Sequence, residues 1–193
     1  MCNQVSSYSF ATYGVTSVSW AHANGIFKIS GALISQHFVW RAIKRCLPTL
    51  TELDKRGIDL HCIRCPLCDD GLESIEHTLV FCKHAFDLWS RVYSWWGLGH
   101  VSNLSMSEIL RGNISASSSS LGKKIWQAVE WVCAYLIWKN RNNKNFHGKC
   151  WNTSVAFNEV QIKSYEWISH RLKKKKIEWL SWINDPSVYL KLA

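Results

Sequence analysis

The chain has 193 residues, of which 47% are hydrophobic and twelve are tryptophan. This composition excludes a disordered tail, because so much apolar side chain is characteristic of a folded core. The formal net charge is +9, and residues 111–193 carry the whole excess, with fourteen Lys and Arg against five Asp and Glu. Such a basic part predicts a polyanionic partner, with nucleic acid first and a membrane surface second.

No targeting or membrane-spanning segment stands out in the sequence. The longest apolar stretch, residues 125–138, is interrupted by Gln127 and Glu130, whereas a bilayer requires about twenty consecutive apolar residues. The N-terminus has no basic region before an apolar core. We therefore predict an intracellular, soluble protein that is neither secreted nor bound to a membrane.

Residues 1–35 form a leader that carries one charged side chain, Lys28. Short alternations of polar and apolar residues flank Asn24 and Gly25, a dipeptide typical of β-hairpin turns. The alternative is a poorly ordered leader, and the sequence favours neither of the two. A short β-hairpin near the N-terminus therefore stays open as one of two predictions.

An amphipathic helix is predicted over residues 35–46, because its apolar residues recur at helical spacing and its basic residues lie on the other faces. Pro48 cannot continue this helix. A short second helix follows, predicted to begin with a capping box of Thr49 and Glu52 and to close at Gly57.

Four side chains in the next segment have the spacing of metal ligands. Cys65 and Cys68 form a Cys-x2-Cys pair around Pro66, and His77 and Cys82 follow. Thiolates and an imidazole favour Zn²⁺ over Mg²⁺ or Ca²⁺. Because the protein fills all four corners of a tetrahedron, no corner is left for a catalytic water. The sequence thus predicts one structural zinc ion.

The neighbouring cysteine and histidine residues leave the choice of ligands open. Cys62 and Cys65 are an alternative first pair, and His84 is an alternative to His77. The four residues could also be unrelated buried thiols beside a core histidine, although four ligands at this spacing seldom arise by accident. A disulfide framework is disfavoured, because no secretory signal is present. We prefer the set that begins with Cys65, because Pro66 fits a tight ligand turn.

A third helix is predicted directly after Cys82. The positive end of its dipole would favour a thiolate at that cysteine. Its apolar stripe should pack against the zinc loop and the first helix. The stripe consists of Ala85, Leu88, Trp89, Val92 and either Trp95 or Trp96.

Glycine and serine residues mark residues 98–122 as a linker, and we place a domain boundary there. The remainder, residues 123–193, is a basic, tryptophan-rich helical region. A strongly apolar helix from about Ile125 leads into the basic segment KNRNNKNFHGK, and another helix begins near Val155. Two tryptophans close to the C-terminus are predicted to fold back onto these helices.

Basic residues in three places are candidates for contact with nucleic-acid phosphates or base edges. A solvated helix face, or favourable placement at a helix C-terminus, accounts for them equally simply. For the run of four lysines, a nuclear import signal is a further alternative. The candidates are Arg41, Lys44, Arg45, Lys139, Arg141, Lys144, Lys173, Lys174, Lys175 and Lys176.

Residues 40–97 contain a series of short motifs in a specific order. They are Trp40-Arg41, Leu47-Pro48-Thr49, Arg56-Gly57-Ile58, CPLC, Glu73-Ser74 before His77, Cys82, Ala85-x3-Trp89 and Trp96-Gly97. With these motifs the segment resembles the zinc-binding domain at the C-terminal end of plant LINE-type (non-LTR) retrotransposon reverse transcriptases, and weaker similarity extends to residues 24–30 and 137–149. The resemblance implies a zinc-binding domain over residues 36–97, with metal held by the preferred ligand set.

The chain departs from a complete reverse transcriptase in its catalytic residues. A polymerase needs paired carboxylates for two Mg²⁺ ions, and the single Asp-Asp pair, Asp69-Asp70, lies inside the zinc turn. The segment between Ser30 and Phe38 is also shorter than in the family. The resemblance therefore implies a C-terminal remnant that is not itself an enzyme.

Taken together, these observations predict a mostly α fold: a small Cys3His zinc module packed on short helices, followed by a helical C-terminal region. The predicted function is a structural-zinc module that binds RNA or DNA. The alternative is a zinc-stabilised protein-interaction module that binds another part of a retroelement machinery. Salt dependence separates the two, because phosphate binding weakens steeply as salt rises.

Overall fold

The computed structural model describes residues 30–99, 105, 106, 109, 118–172 and 176–192, with side chains from His37 onward. These residues are mostly helical, as the sequence predicts. The predicted β-hairpin lies outside the described residues. The α-helices are α1 (Ser30–Ile43), α2 (Leu50–Asp54), α3 (Lys83–Trp95), α4 (Ser120–His147), α5 (Thr153–Arg171) and α6 (Trp179–Asn184); a π-helical turn spans His77–Phe81 and a 3-10 helix spans Pro186–Lys191.

The first helix, α1, ends at Ile43, earlier than the predicted end at Cys46. Arg45 takes a left-handed conformation with φ of 53°, and the Cys46 N–H donates to the Arg41 carbonyl at 2.8 Å. This turn closes the helix before Pro48 is reached. The predicted apolar face is confirmed in part: Phe38, Val39 and Ala42 are buried, whereas Ile43, which was predicted to share that face, is 50% exposed because it lies at the end of the helix.

The second helix forms where the sequence predicts it, but the predicted capping box is wrong. The Thr49 side chain makes no capping hydrogen bond, and Glu52 accepts from Lys55 at 2.8 Å. Glu73 replaces the box: its Oε2 accepts the Leu50 N–H at 2.7 Å, so a distant carboxylate caps α2. Gly57 closes the segment with φ of +79°, the left-handed conformation expected at a helix C-terminus.

The long helix α4 lies at the centre of the described structure. It packs against α1, α3, α5, the π-helical turn and the 3-10 helix. Tryptophans fill the space between these elements: the Trp96 ring lies 5.2 Å from Trp126 and 5.5 Å from Trp182. The prediction that the C-terminal tryptophans fold back is confirmed, because Trp182 is fully buried and Trp179 contacts Tyr165.

The last described residues of the predicted linker, 118–122, and the helical region after them contact the rest of the described structure. Ser119 caps α4 by accepting the Gly122 N–H at 2.9 Å, so residues 120–122 are already helical. Buried side chains from residues 38–96 and from 125–189 belong to one hydrophobic cluster. The domain boundary stays a prediction, and the described residues on both sides of it share a core.

Among the described residues, no helix is long and apolar enough to cross a membrane.

Candidate metal centre

A tight turn brings the first two cysteines together. Arg64 and Leu72 pair in an isolated antiparallel bridge, and the Cys65 N–H donates to the Gly71 carbonyl at 2.7 Å. Inside this loop the Asp69 N–H returns to the Cys65 carbonyl at 2.8 Å, and Asp69 has φ of 58°. The chain therefore reverses within a few residues, which places both thiols on the same side of the loop.

A π-helical turn supplies the other two ligands. Its first N–H, that of His77, donates to Ser74 Oγ at 3.0 Å, and the Cys82 N–H donates to the His77 carbonyl at 2.6 Å. In an α-helix, residues five apart are rotated by roughly 140° around the axis. The wider i to i+5 turn removes much of this rotation, so that His77 and Cys82 face the same point.

The four ligand atoms of Cys65, Cys68, His77 and Cys82 all lie within 4.8 Å of one another. The two buried sulfurs, of Cys65 and Cys82, are 4.0 Å apart, and Cys68 Sγ lies 3.2 Å from His77 Nε2. In tetrahedral zinc with Zn–S bonds of about 2.3 Å, neighbouring sulfurs are roughly 3.8 Å apart. The donor set and its spacing fit one structural zinc ion.

The alternative ligands lie outside this group. Within the described part of the chain, the one cluster that could hold a metal excludes both Cys62 and His84. His84 instead places its imidazole 5.7 Å from the Trp151 ring, at an interplanar angle of 37°. The structure therefore selects the set that the sequence analysis preferred.

The thiol groups of Cys65 and Cys82 interact directly. The hydrogen bond from Cys65 to Cys82 raises the pKa of Cys65 and lowers the pKa of Cys82, and burial adds to the increase at Cys65. Burial also lowers the pKa of His77. Both decreases in pKa ease metal binding, because Zn²⁺ binds the neutral imidazole and the deprotonated thiol.

Gly71 holds the imidazole of His77 in place by its lack of a side chain. A Cβ at this position would lie 2.9 Å from His77 Cε1 and 3.1 Å from Nδ1. Real Cβ atoms do not approach other atoms this closely, so the ring packs directly on the glycine backbone. The turn and the imidazole thus orient each other.

A buried ion pair that sequence reasoning missed lies beside the metal centre. Arg141 Nη2 donates to Glu73 Oε2 at 2.6 Å, and Nε donates to Oε1. Both side chains are almost completely buried, with 2% and 0% exposure, and the guanidinium lies 5.0 Å from the Trp138 ring. The sequence signal for their burial was that each charged residue lies close to an apolar one, Glu73 to Ile75 and Arg141 to Ile137.

This ion pair corrects the predicted set of nucleic-acid contacts. Arg141 was predicted to contact nucleic acid, but its guanidinium is buried against a carboxylate and cannot reach a phosphate. Other candidates are exposed or half-exposed and pair with acids: Arg45 with Glu76, Lys139 with Glu159 and Lys176 with Glu178.

The remaining candidates divide into three kinds. Arg41 donates to the Cys46 carbonyl at 3.2 Å. Lys44 and Lys144 form no ion pair within the residues described. Lys173, Lys174 and Lys175 lie outside the described part of the chain.

A closed Cys3His cluster on a helical platform defines a structural zinc module. In agreement, the family model for zinc-binding in reverse transcriptase matches residues 5–89. The match contains all four ligands, begins before the predicted domain start at residue 36 and ends within α3. No curated protein and no solved structure matches the chain.

Proposed function

We propose that this protein is a zinc-structured nucleic-acid-binding module, derived from the C-terminal part of a plant LINE-type reverse transcriptase and without polymerase catalysis of its own. The observation that carries the proposal is the closed Cys3His site inside the range matched by the zinc-binding family. With four protein ligands, zinc would hold the loop on its helices and would leave no coordination position for a reacting water.

The positions of the acidic residues support a non-catalytic role. Asp69 and Asp70 are exposed in the ligand turn, and Asp69 takes the left-handed conformation that the turn requires. In this proposal they shape the zinc loop and do not hold Mg²⁺.

The charge distribution supports a polyanionic partner. All of the excess positive charge belongs to residues 111–193, which include the central helix α4. In this proposal Lys44 and Lys144 contact phosphates, and the lysines at positions 173–176 contact phosphates or direct nuclear import. Counterion release from such contacts would drive binding.

Salt dependence tests this proposal. Fluorescence anisotropy with labelled single-stranded and duplex RNA and DNA should show affinity falling at least about 10-fold between 50 and 200 mM salt. Lys44→Glu should weaken binding and flatten the salt slope. Lys163→Glu is the matched control, because it makes the same charge change on α5, where Lys163 pairs with Glu166.

Absence of binding at 50 mM salt, or binding that salt does not weaken, would contradict the proposal. Salt-independent capture of a retroelement protein would instead favour the zinc-stabilised protein-interaction module, because an apolar interface is little affected by salt.

A further inference from the structure

The last turn of α4 exposes a phenylalanine among cations and amides. Phe146 is 51% exposed, whereas the apolar residues in the middle of α4 are mostly buried. Residues 139–149 contain four Lys or Arg, four Asn and no Asp or Glu. An exposed aromatic ring does not help to compensate a helix dipole, so the dipole accounts for the cations but not for the ring.

The four cations differ in whether a carboxylate neutralises their charge. Lys139 and Arg141 pair with Glu159 and Glu73. Lys144 and Lys149, by contrast, form no ion pair with any residue that the structure describes. Among the Lys and Arg side chains of residues 139–149, the positive charge that no described carboxylate neutralises therefore belongs to Lys144 and Lys149.

The backbone brings Lys149 back beside the helix end. Gly148 has φ of +64° and its N–H donates to the Lys144 carbonyl at 3.1 Å, while the Lys149 N–H donates to the Asn143 carbonyl at 3.2 Å. Asn143 is three positions before Phe146 and shares its face of the helix. This closing turn thus brings the backbone of Lys149 beside Asn143, in the same helical turn as Phe146.

The amides at this end are available to a ligand. Asn140 donates to the Leu136 carbonyl and Asn142 accepts from Arg141. The side chains of Asn143 and Asn145 make no hydrogen bond with the part of the chain described. Asparagine amides suit base edges, because each offers both donors and an acceptor.

The remaining exposed aromatic rings in the described residues suit a polyanion less well. Phe81 and Phe86 flank the zinc ligand Cys82, where three thiolates and one Zn²⁺ would leave a net charge of −1, and Asp87 adjoins Phe86. Trp179 already contacts the Tyr165 ring at 5.0 Å. Charge complementarity therefore singles out Phe146.

We infer that the C-terminal turn of α4 is a binding surface for single-stranded nucleic acid, in which an unpaired base stacks on Phe146 and Lys144 and Lys149 contact the flanking phosphates. The inference deepens the proposed function and rests on it. Stacking requires an unpaired base with a free face, so duplexes should use this surface poorly.

Anisotropy titrations of the full zinc-loaded chain with labelled oligo(U) RNA and oligo(dT) DNA test the inference. Phe146→Ala should weaken binding of the single strands roughly 5- to 100-fold, whereas Phe146→Trp should keep or improve it. Lys149→Ala should lower the magnitude of the salt slope by about 0.7. Comparing the affinities for oligo(U) RNA and oligo(dT) DNA shows which kind of single strand the protein prefers.

Phe81→Ala is the matched control, since it removes another exposed phenylalanine ring, beside the zinc site, and should leave affinity unchanged. Circular dichroism and zinc content should be the same for all variants. If Phe146→Ala binds single strands like the unmodified chain, or if a duplex loses as much affinity as a single strand, the inference is wrong and the proposed function stands. If the unmodified chain binds no nucleic acid, both fail.

Discussion

Cys82 belongs to the metal cluster and also directly precedes α3, which begins at Lys83. The Cys65 hydrogen bond and backbone N–H groups of His84 and Ala85 lower the pKa of Cys82. One side chain therefore connects zinc binding to the start of the helix that buries Leu88 and Trp89.

Replacing this ligand should release the metal. Cys82→Ser is expected to lose the single zinc per chain and to destabilise the module by several kcal/mol, since structural zinc contributes on the order of 10 kcal/mol in small sites. Native mass spectrometry and thermal unfolding measure both effects. Cys150→Ser is the control, because Cys150 is exposed and outside the cluster. Retained zinc in Cys82→Ser would refute the ligand assignment.

Glu130 is a buried carboxyl group in the hydrophobic core. Burial raises its pKa well above the ordinary value of 4.5. The Tyr93 hydroxyl donates to Oε1 at 3.2 Å, and Oε2 has no hydrogen-bond partner among the described residues. Over a range of pH above 4.5, Glu130 therefore keeps a proton in the folded protein that it loses in the unfolded chain.

This difference makes stability depend on pH with a definite sign. As pH rises above about 4.5, the unfolded state releases the proton first, so the stabilisation from Glu130 falls until the folded carboxyl also ionises. Glu130→Gln should therefore be more stable than the unmodified chain at pH 7 to 8 and similar to it near pH 4. Urea unfolding over this range measures the difference.

The difference in stability between Glu130→Gln and the unmodified chain reports on Glu130 alone, because both proteins contain the same zinc ligands. Glu166→Gln on the surface of α5 is the control and should leave the pH profile unchanged. Parallel stability curves for Glu130→Gln and the unmodified chain would show that the carboxyl ionises normally in the fold.

At the scale of elements, the start of α4 is joined to the end of the chain. Ser119 donates through its N–H to the Leu190 carbonyl at 2.9 Å and through Oγ to the Leu192 carbonyl at 2.5 Å. A Cβ on Gly122 would lie 2.1 Å from the Leu190 carbonyl oxygen. The first turn of α4 and the 3-10 helix can approach this closely because residue 122 is glycine.

An alanine at position 122 should therefore separate the two elements. Alanine raises helix propensity by about 1 kcal/mol, but displacing a packed backbone costs roughly 1–3 kcal/mol. We expect a net loss of stability and a lower midpoint in thermal unfolding. Gly99→Ala is the control, because no atom of the described residues lies within 4 Å of its added Cβ. A more stable Gly122→Ala would show that the 3-10 helix moves aside easily.

At the scale of the whole molecule, the Glu73–Arg141 pair joins the zinc module to α4. Glu73 also accepts the Leu50 N–H, so one carboxylate connects α2, the segment before the π-helical turn and the central helix. The family match ends at residue 89, whereas Arg141 lies beyond it. The buried charge in the matched region is therefore neutralised by a residue outside that region.

Removing the charge of Arg141 alone should lower the free energy of unfolding far more than removing the charges of both Arg141 and Glu73. Arg141→Met leaves Glu73 buried without a counter-charge and should cost about 3–5 kcal/mol. Adding Glu73→Gln should recover much of that loss. Lys139→Met is the control, because its pair with Glu159 is partly exposed and such pairs contribute about 1 kcal/mol or less. Chemical denaturation compares the variants, and equal losses in Arg141→Met and Lys139→Met would refute the coupling.

The sequence by itself determined the local features of this protein. Ligand spacing identified Cys65, Cys68, His77 and Cys82, because chelation requires donors at short, regular separations, and helical periodicity identified the buried stripe of α3. Only the tertiary structure decided which distant residues meet. It paired Glu73 with Arg141, capped α2 with Glu73 in place of Glu52, and removed Arg141 from the surface. Such contacts depend on how helices pack across long sequence separations, and no local pattern records that packing.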